Sequence, residues 1–109
     1  MDGMRIELLV VSDCPHEAAA AQLLTSALED VGLGSVGYTL TIIDTQADAD
    51  QSHFIGSPTF SVDSQDLFPE PGRDPSVACR IYPNAGGLPE LRDLRQALKR
   101  AAAESAAPR

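Results

Sequence analysis

An α/β fold with a four-stranded mixed sheet flanked by helices is what the sequence predicts, and three observations carry it. A short apolar run, "RIELLVV" from Arg5 to Val11, leads into an alanine-rich stretch of helical periodicity and then into an alternating segment, "YTLTIIDT". That is the layout of a strand-helix-strand crossover, which makes a parallel pair. Further on, "SPTFSVDS" and "CRIY" read as two strands of a hairpin-like pair, and a leucine-striped helix follows to cover them. The 109 residues suffice for one domain of this kind and are too few for two ordinary ones.

The first strand alternates at Ile6, Leu8 and Val10 and is also apolar at Leu9 and Val11, as an interior strand is. Pro15 then suits a first helical position, with Cys14 or Asp13 as cap and Glu17 in the first turn, where negative charge is favoured. The helix "PHEAAAAQLLTSALEDVG" repeats apolar residues at Ala20, Leu23, Leu24, Ala27, Leu28 and Val31, and stops at Gly32. In the second strand Tyr38, Leu40 and Ile42 alternate with threonines. "QADADQSHFIG" has room for one or two helical turns capped by Thr45, and the third strand turns Phe60 and Val62 one way, Thr59 and Ser61 the other.

With three prolines and a glycine, "QDLFPEPGRDPSVA" (65–78) reads as a loop, long enough to be a functional cover. "CRIY" is the fourth strand and "PNAGG" a turn. The closing helix aligns Leu88, Leu91, Leu94 and Leu98, with Pro89 near its start and Lys99 and Arg100 toward its end, as the helix dipole favours. The expected order is β-α-β-α-β-β-α, a single domain over 1–104 and a frayed tail over 105–109.

Composition narrows the function. Sixteen acidic against eight basic residues give a formal net charge of −8, which repels phosphate backbones and argues against nucleic acid as a partner. The hydrophobic content of 43% is that of a soluble globular protein. The apolar run from Leu8 to Val11 is too short for a signal peptide or a spanning helix, so the expectation is a cytoplasmic protein that does not engage a membrane. Cys14 and Cys79 are far apart in sequence and neither has a partner at metal-ligand spacing, so neither a structural metal nor a cofactor is expected. In a reducing compartment both should rest as thiols, and whether they meet is open.

Cys14 draws attention because a cysteine at a helix N-terminus faces unpaired backbone N–H groups and the positive end of the dipole, both of which favour thiolate. A protonated His16 nearby would act in the same direction; Asp13 and Glu17 would oppose it. The alternative is that Cys14 merely fills a helix start, as many buried free cysteines do. A proline at position 58 holds Ser57 extended and, if cis, exposes Ser57 backbone groups to an extended thiol or peptide substrate, although a proline heading a strand can also be edge punctuation. Cys79 is either a resolving cysteine or a small apolar strand residue. His53 reads as a surface or helix-end residue, and Arg73 and Arg80 as solvated charges that could attract a substrate carboxylate.

The element order, Cys14 just after the first strand, the proline in "GSPTF" and the "GG" before the last helix together resemble the thioredoxin and glutaredoxin superfamily, over nearly the whole chain. The "DCP", "GSPT" and "CRIY" motifs are similar to those of small bacterial thioredoxin-like proteins, some of which carry an organomercurial-lyase label. The resemblance implies that Cys14 is the nucleophile, that Pro58 is a cis-proline against the sulfur, and that Gly86 and Gly87 form the turn that helps hold a glutathione tail. Pro15, His16, Ser57 and Thr59 then flank the substrate, a protein or low-molecular-weight thiol or disulfide. The departure is "CPHE", with Glu17 where the family has its second cysteine, so dithiol chemistry within one motif is excluded. Cys79 or an external thiol would have to resolve the intermediate. Two other readings stay open. One is a binding or redox-sensing module that kept the scaffold, as a monomer or a weak homodimer through an exposed strand edge. The other is a handler of mercury or a similar thiophilic metal.

Overall fold

A computed structural model of the chain describes residues 4–70, 72–77, 82 and 88–106. Strand β1 (Ile6–Val10) is followed by helix α1 (Glu17–Asp30), strand β2 (Thr39–Ile42), helix α2 (Gln46–Ser52), strands β3 (Thr59–Val62) and β4 (Gln65–Asp66), and helix α3 (Leu91–Ala106). The string of elements reads β-α-β-α-β-β-α as expected, but its fourth strand is Gln65–Asp66 and not the expected "CRIY". The sheet runs β2-β1-β3-β4, with β2 parallel to β1, and β3 antiparallel to both β1 and β4. No helix among the described residues is long and apolar enough to cross a membrane.

Strand β1 is central, and its alternation divides two cores. Ile6, Leu8 and Val10 join Ala20, Leu24, Ala27 and Leu28 of α1, Phe60 and Val62 of β3, and Leu94 and Leu98 of α3 in the larger cluster. On the other face Leu9 packs with Ile43, Ala49 and Phe54, the last two supplied by α2 and its exit. Helices α1 and α3 thus lie against one face and α2 against the other, which is why β1 and β3 are buried on both sides while the edge strand β2 leaves Leu40 and Ile42 43% and 41% exposed. The apolar face expected of β2 is therefore only half covered, and the polar face expected of β3 is buried, with Thr59 and Ser61 each 4% exposed.

Local chemistry explains the element ends. Helix α1 stops in a Schellman arrangement: Leu33 N–H donates to Leu28 O (2.7 Å) and Gly32 N–H to Glu29 O (3.2 Å), with Gly32 at φ +81°. Thr45 caps α2 as expected, its hydroxyl accepting from Asp48 N–H at 3.1 Å. His53 ends the same helix in a left-handed conformation, φ +54°.

Four expectations need correction. Helix α1 begins at Glu17 with His16 as N-cap, so Pro15 is not a first helical residue and neither Cys14 nor Asp13 is the cap. The cause is Asp13, whose φ of +61° opens a turn in which Cys14 N–H returns to Val11 O before the helix can start. The segment 65–78, expected as loop throughout, begins with β4, because Asp63 and Ser64 take φ +52° and +70°, the pair of positive values that a two-residue hairpin turn requires. Helix α3 runs through Ala106, two residues into the expected tail, and Lys99 and Arg100 do not lie in its last turn. Of the expected strand "CRIY", Tyr82 is described and is not in a strand, and the rest lies outside the described residues.

Candidate thiol site at the end of β1

The site forms where β1 leaves the sheet. Ser12 Oγ donates to Asp44 Oδ1, fastening the ends of the two parallel strands to each other. After the Asp13 turn, Cys14 N–H donates to Val11 O (3.3 Å) and Cys14 O accepts from Glu17 N–H (3.2 Å), so the cysteine is locked by its backbone between strand and helix. Its side chain turns inward and belongs to the larger core cluster, 7% exposed.

From the other half of the chain comes Ser57. Its hydroxyl accepts from Val11 N–H at 3.2 Å and donates to Cys14 Sγ at 2.9 Å. The N–H of Val11, just past the ladder of β1, would otherwise be an unpaired donor at part-buried depth. Ser57 thus continues the β1–β3 connection by side chain after main-chain pairing has stopped, and that continuation is what aims a hydroxyl at sulfur. The Ser57–Pro58 peptide is cis, as expected, and both residues are fully buried. Tyr82 OH donates to Pro58 O at 2.7 Å, and Thr59 Oγ1 donates to Gly56 O at 2.7 Å.

Of the residues predicted for the site, Cys14 and Ser57 meet across a sequence separation of 43, and Pro58 follows Ser57 through the cis bond. Thr59 is adjacent, but its hydroxyl is engaged by the backbone of its own segment. Pro15 is exposed and His16 half-buried in the turn that follows, and the His16 ring makes no hydrogen bond among the described residues. Cys79, Arg80, Gly86 and Gly87 lie outside the described residues. Arg73 pairs with Glu70 at 2.5 Å on the surface. Sequence reasoning missed two contributors, the Val11 N–H and Tyr82. A buried tyrosine needs a partner for its hydroxyl, but nothing in "CRIY" says that the partner is a proline carbonyl in another segment.

Chemically, the arrangement holds one free thiol under a single hydroxyl donor, at the rim of a packed core. No group of three or more metal-ligating side chains occurs among the described residues. Comparison with known proteins found no matching family model, no matching curated protein and no matching solved structure.

Proposed function

We propose that the protein is a thioredoxin-like thiol-disulfide oxidoreductase that works through one motif cysteine. The observation that carries this reading is the 2.9 Å hydrogen bond from Ser57 Oγ to Cys14 Sγ. A hydroxyl donor held by a backbone N–H behind it can stay on sulfur as charge develops, and hydrogen bonds to a charged acceptor are the strong ones. The four-stranded mixed sheet, with one parallel and two antiparallel pairs, supports this reading, since the element order implied a parallel crossover pair followed by a hairpin-like pair.

In the proposed reaction the Cys14 thiolate attacks one sulfur of a disulfide. A Cys14 mixed disulfide forms, the substrate S–S bond breaks, and the departing sulfur carries the electron pair away as thiolate. A second thiolate, from a low-molecular-weight thiol, then attacks the substrate sulfur of the mixed disulfide, forming a new S–S bond to it and expelling Cys14 as thiolate. Glu17, in the first turn of α1, leaves no second thiol within the motif, so the resolving thiol comes from elsewhere.

The burial of Cys14 favours a second reading, a binding or sensing module that retains the scaffold without turnover. Alkylation kinetics in a Cys79→Ser background separate the two. An accessible, hydroxyl-supported thiol reacts at a rate proportional to reagent concentration, and Ser57→Ala slows it roughly tenfold, as loss of one hydrogen bond to a charged group implies. Should the rate instead be independent of reagent and equal to that of global unfolding, Cys14 is a core residue and the oxidoreductase reading fails.

A further inference from the structure

Strand β2 lies at the rim of the sheet, with β1 on one side and no strand beyond it among the described residues. Its register on β1 runs unbroken from Glu7↔Thr39 to Val10↔Ile42, and Ile43 N–H donates to Val10 O at 2.8 Å. Residues along a strand aim their backbone groups alternately to its two sides. Thr39, Thr41 and Ile43 therefore serve β1, and the N–H and C=O of Leu40 and Ile42 point outward from the sheet. Those four groups are a template on which an extended chain can add as a further strand.

Protein edges usually block such pairing with a lysine, a proline or a bulge. Strand β2, "TLTI", has neither lysine nor proline, and its register has no bulge. Leu40 and Ile42 also rank among the large apolar side chains left exposed. Leu40 stands in register with Leu8 and Ile42 with Val10, so both occupy the sheet face that α1 and α3 cover further in, as two apolar footholds at the rim.

Charge decides what this edge fits. Between Arg5 and Arg73 the chain carries no Lys or Arg, against eleven Asp and Glu, and that span includes α1, β2 and α2. Asp44 follows β2 directly, Asp48 and Asp50 lie on α2 just after it, and none of the three makes an ion pair among the described residues. A second copy would bring this acidic half against itself, which like charge opposes, whereas a cationic chain is drawn to it.

We propose that the free edge of β2 docks an extended cationic peptide segment of a partner protein. The segment pairs with the N–H and C=O of Leu40 and Ile42, sets its apolar side chains beside theirs, and alternates these with Lys or Arg. The surface rests on no property of Cys14 and stands apart from the thiol reading.

Amide-resolved NMR titration of the whole protein tests it, with an end-capped hexapeptide of alternating Val and Lys as probe and its Val/Glu counterpart as control. The expected result is saturable shifts centred on Leu40 and Ile42, with slower amide hydrogen exchange at those two residues, for the lysine peptide and not for the glutamate one. Ile42→Pro removes one outward N–H, which an edge strand tolerates, and should weaken binding about tenfold. Leu40→Lys keeps every backbone group and adds a charge that repels the peptide; it should also weaken binding about tenfold, and it keeps the test open if Ile42→Pro misfolds. Shifts that rise without saturating, equal binding of the glutamate peptide, an affinity unchanged in Leu40→Lys, or Leu40 and Ile42 amides already protected in a protein that sediments as a dimer would overturn the assignment.

Discussion

A single hydroxyl, that of Ser57, joins the end of β1 to the sulfur of Cys14, accepting from Val11 N–H and donating to Sγ. Because it serves two partners in a buried setting, Ser57→Ala should lower stability by about 1–3 kcal/mol, chiefly by leaving the Val11 N–H unpaired; urea denaturation with an unchanged m-value would measure it. Ser61 is its opposite. Ser61→Ala removes a buried hydroxyl that bonds to nothing among the described residues, and should raise stability by about 1 kcal/mol, read as a higher denaturation midpoint. Much of the thiol site was legible at this scale. Cys14 before Pro15 marked a strand-to-helix junction, and "GSPTF" marked Pro58 and the serine before it. What could not be read was the direction of the Cys14 side chain, inward into the core, because it depends on Asp13 adopting φ +61°, and aspartate enters that region only when its surroundings require it. The outward backbone groups of Leu40 and Ile42 were equally hidden, since which residues of β2 face away from the sheet is fixed only once its register on β1 is known.

Among the elements, the helices declared themselves through periodicity and the hairpin did not. Leu94 and Leu98 of α3 are fully buried, as the leucine stripe predicts, and Leu98→Ala should cost about 2–5 kcal/mol, the range for emptying a packed leucine site. Gly32→Ala should cost about 1 kcal/mol from its positive φ alone, because a Cβ there would meet no other atom within 4 Å. Thermal melts of the two variants would show the larger fall for Leu98→Ala. Strand β4 escaped notice for a definite reason: Asp63-Ser64 lacks the glycine that usually signals a turn with two positive φ values, and a two-residue strand has no periodicity to detect. The late end of α3 has a similar origin, since "AAAES" favours helix by propensity while offering no apolar residue to show it.

Taken whole, the molecule is a mixed sheet whose centre is buried on both faces and whose β2 edge keeps Leu40 and Ile42 partly exposed. Its charge is lopsided, and self-repulsion at −8 should make stability rise with salt; the melting temperature should increase by a few degrees between about 0.01 and 0.5 M sodium chloride, as the screening length falls. The α/β class and the elements from β1 to β3 were legible because hydrophobic period and helix punctuation agree along that part of the chain. The proposed activity is a separate matter and rests on one sulfur. The most direct test is turnover of a peptide mixed disulfide with excess small thiol, comparing the wild type with Cys14→Ser and Cys79→Ser. The account predicts catalysed exchange that Cys14→Ser abolishes, with a Cys14 mixed disulfide trapped when the small thiol is withheld. Exchange no faster than the uncatalysed reaction, or exchange that survives Cys14→Ser, would contradict it.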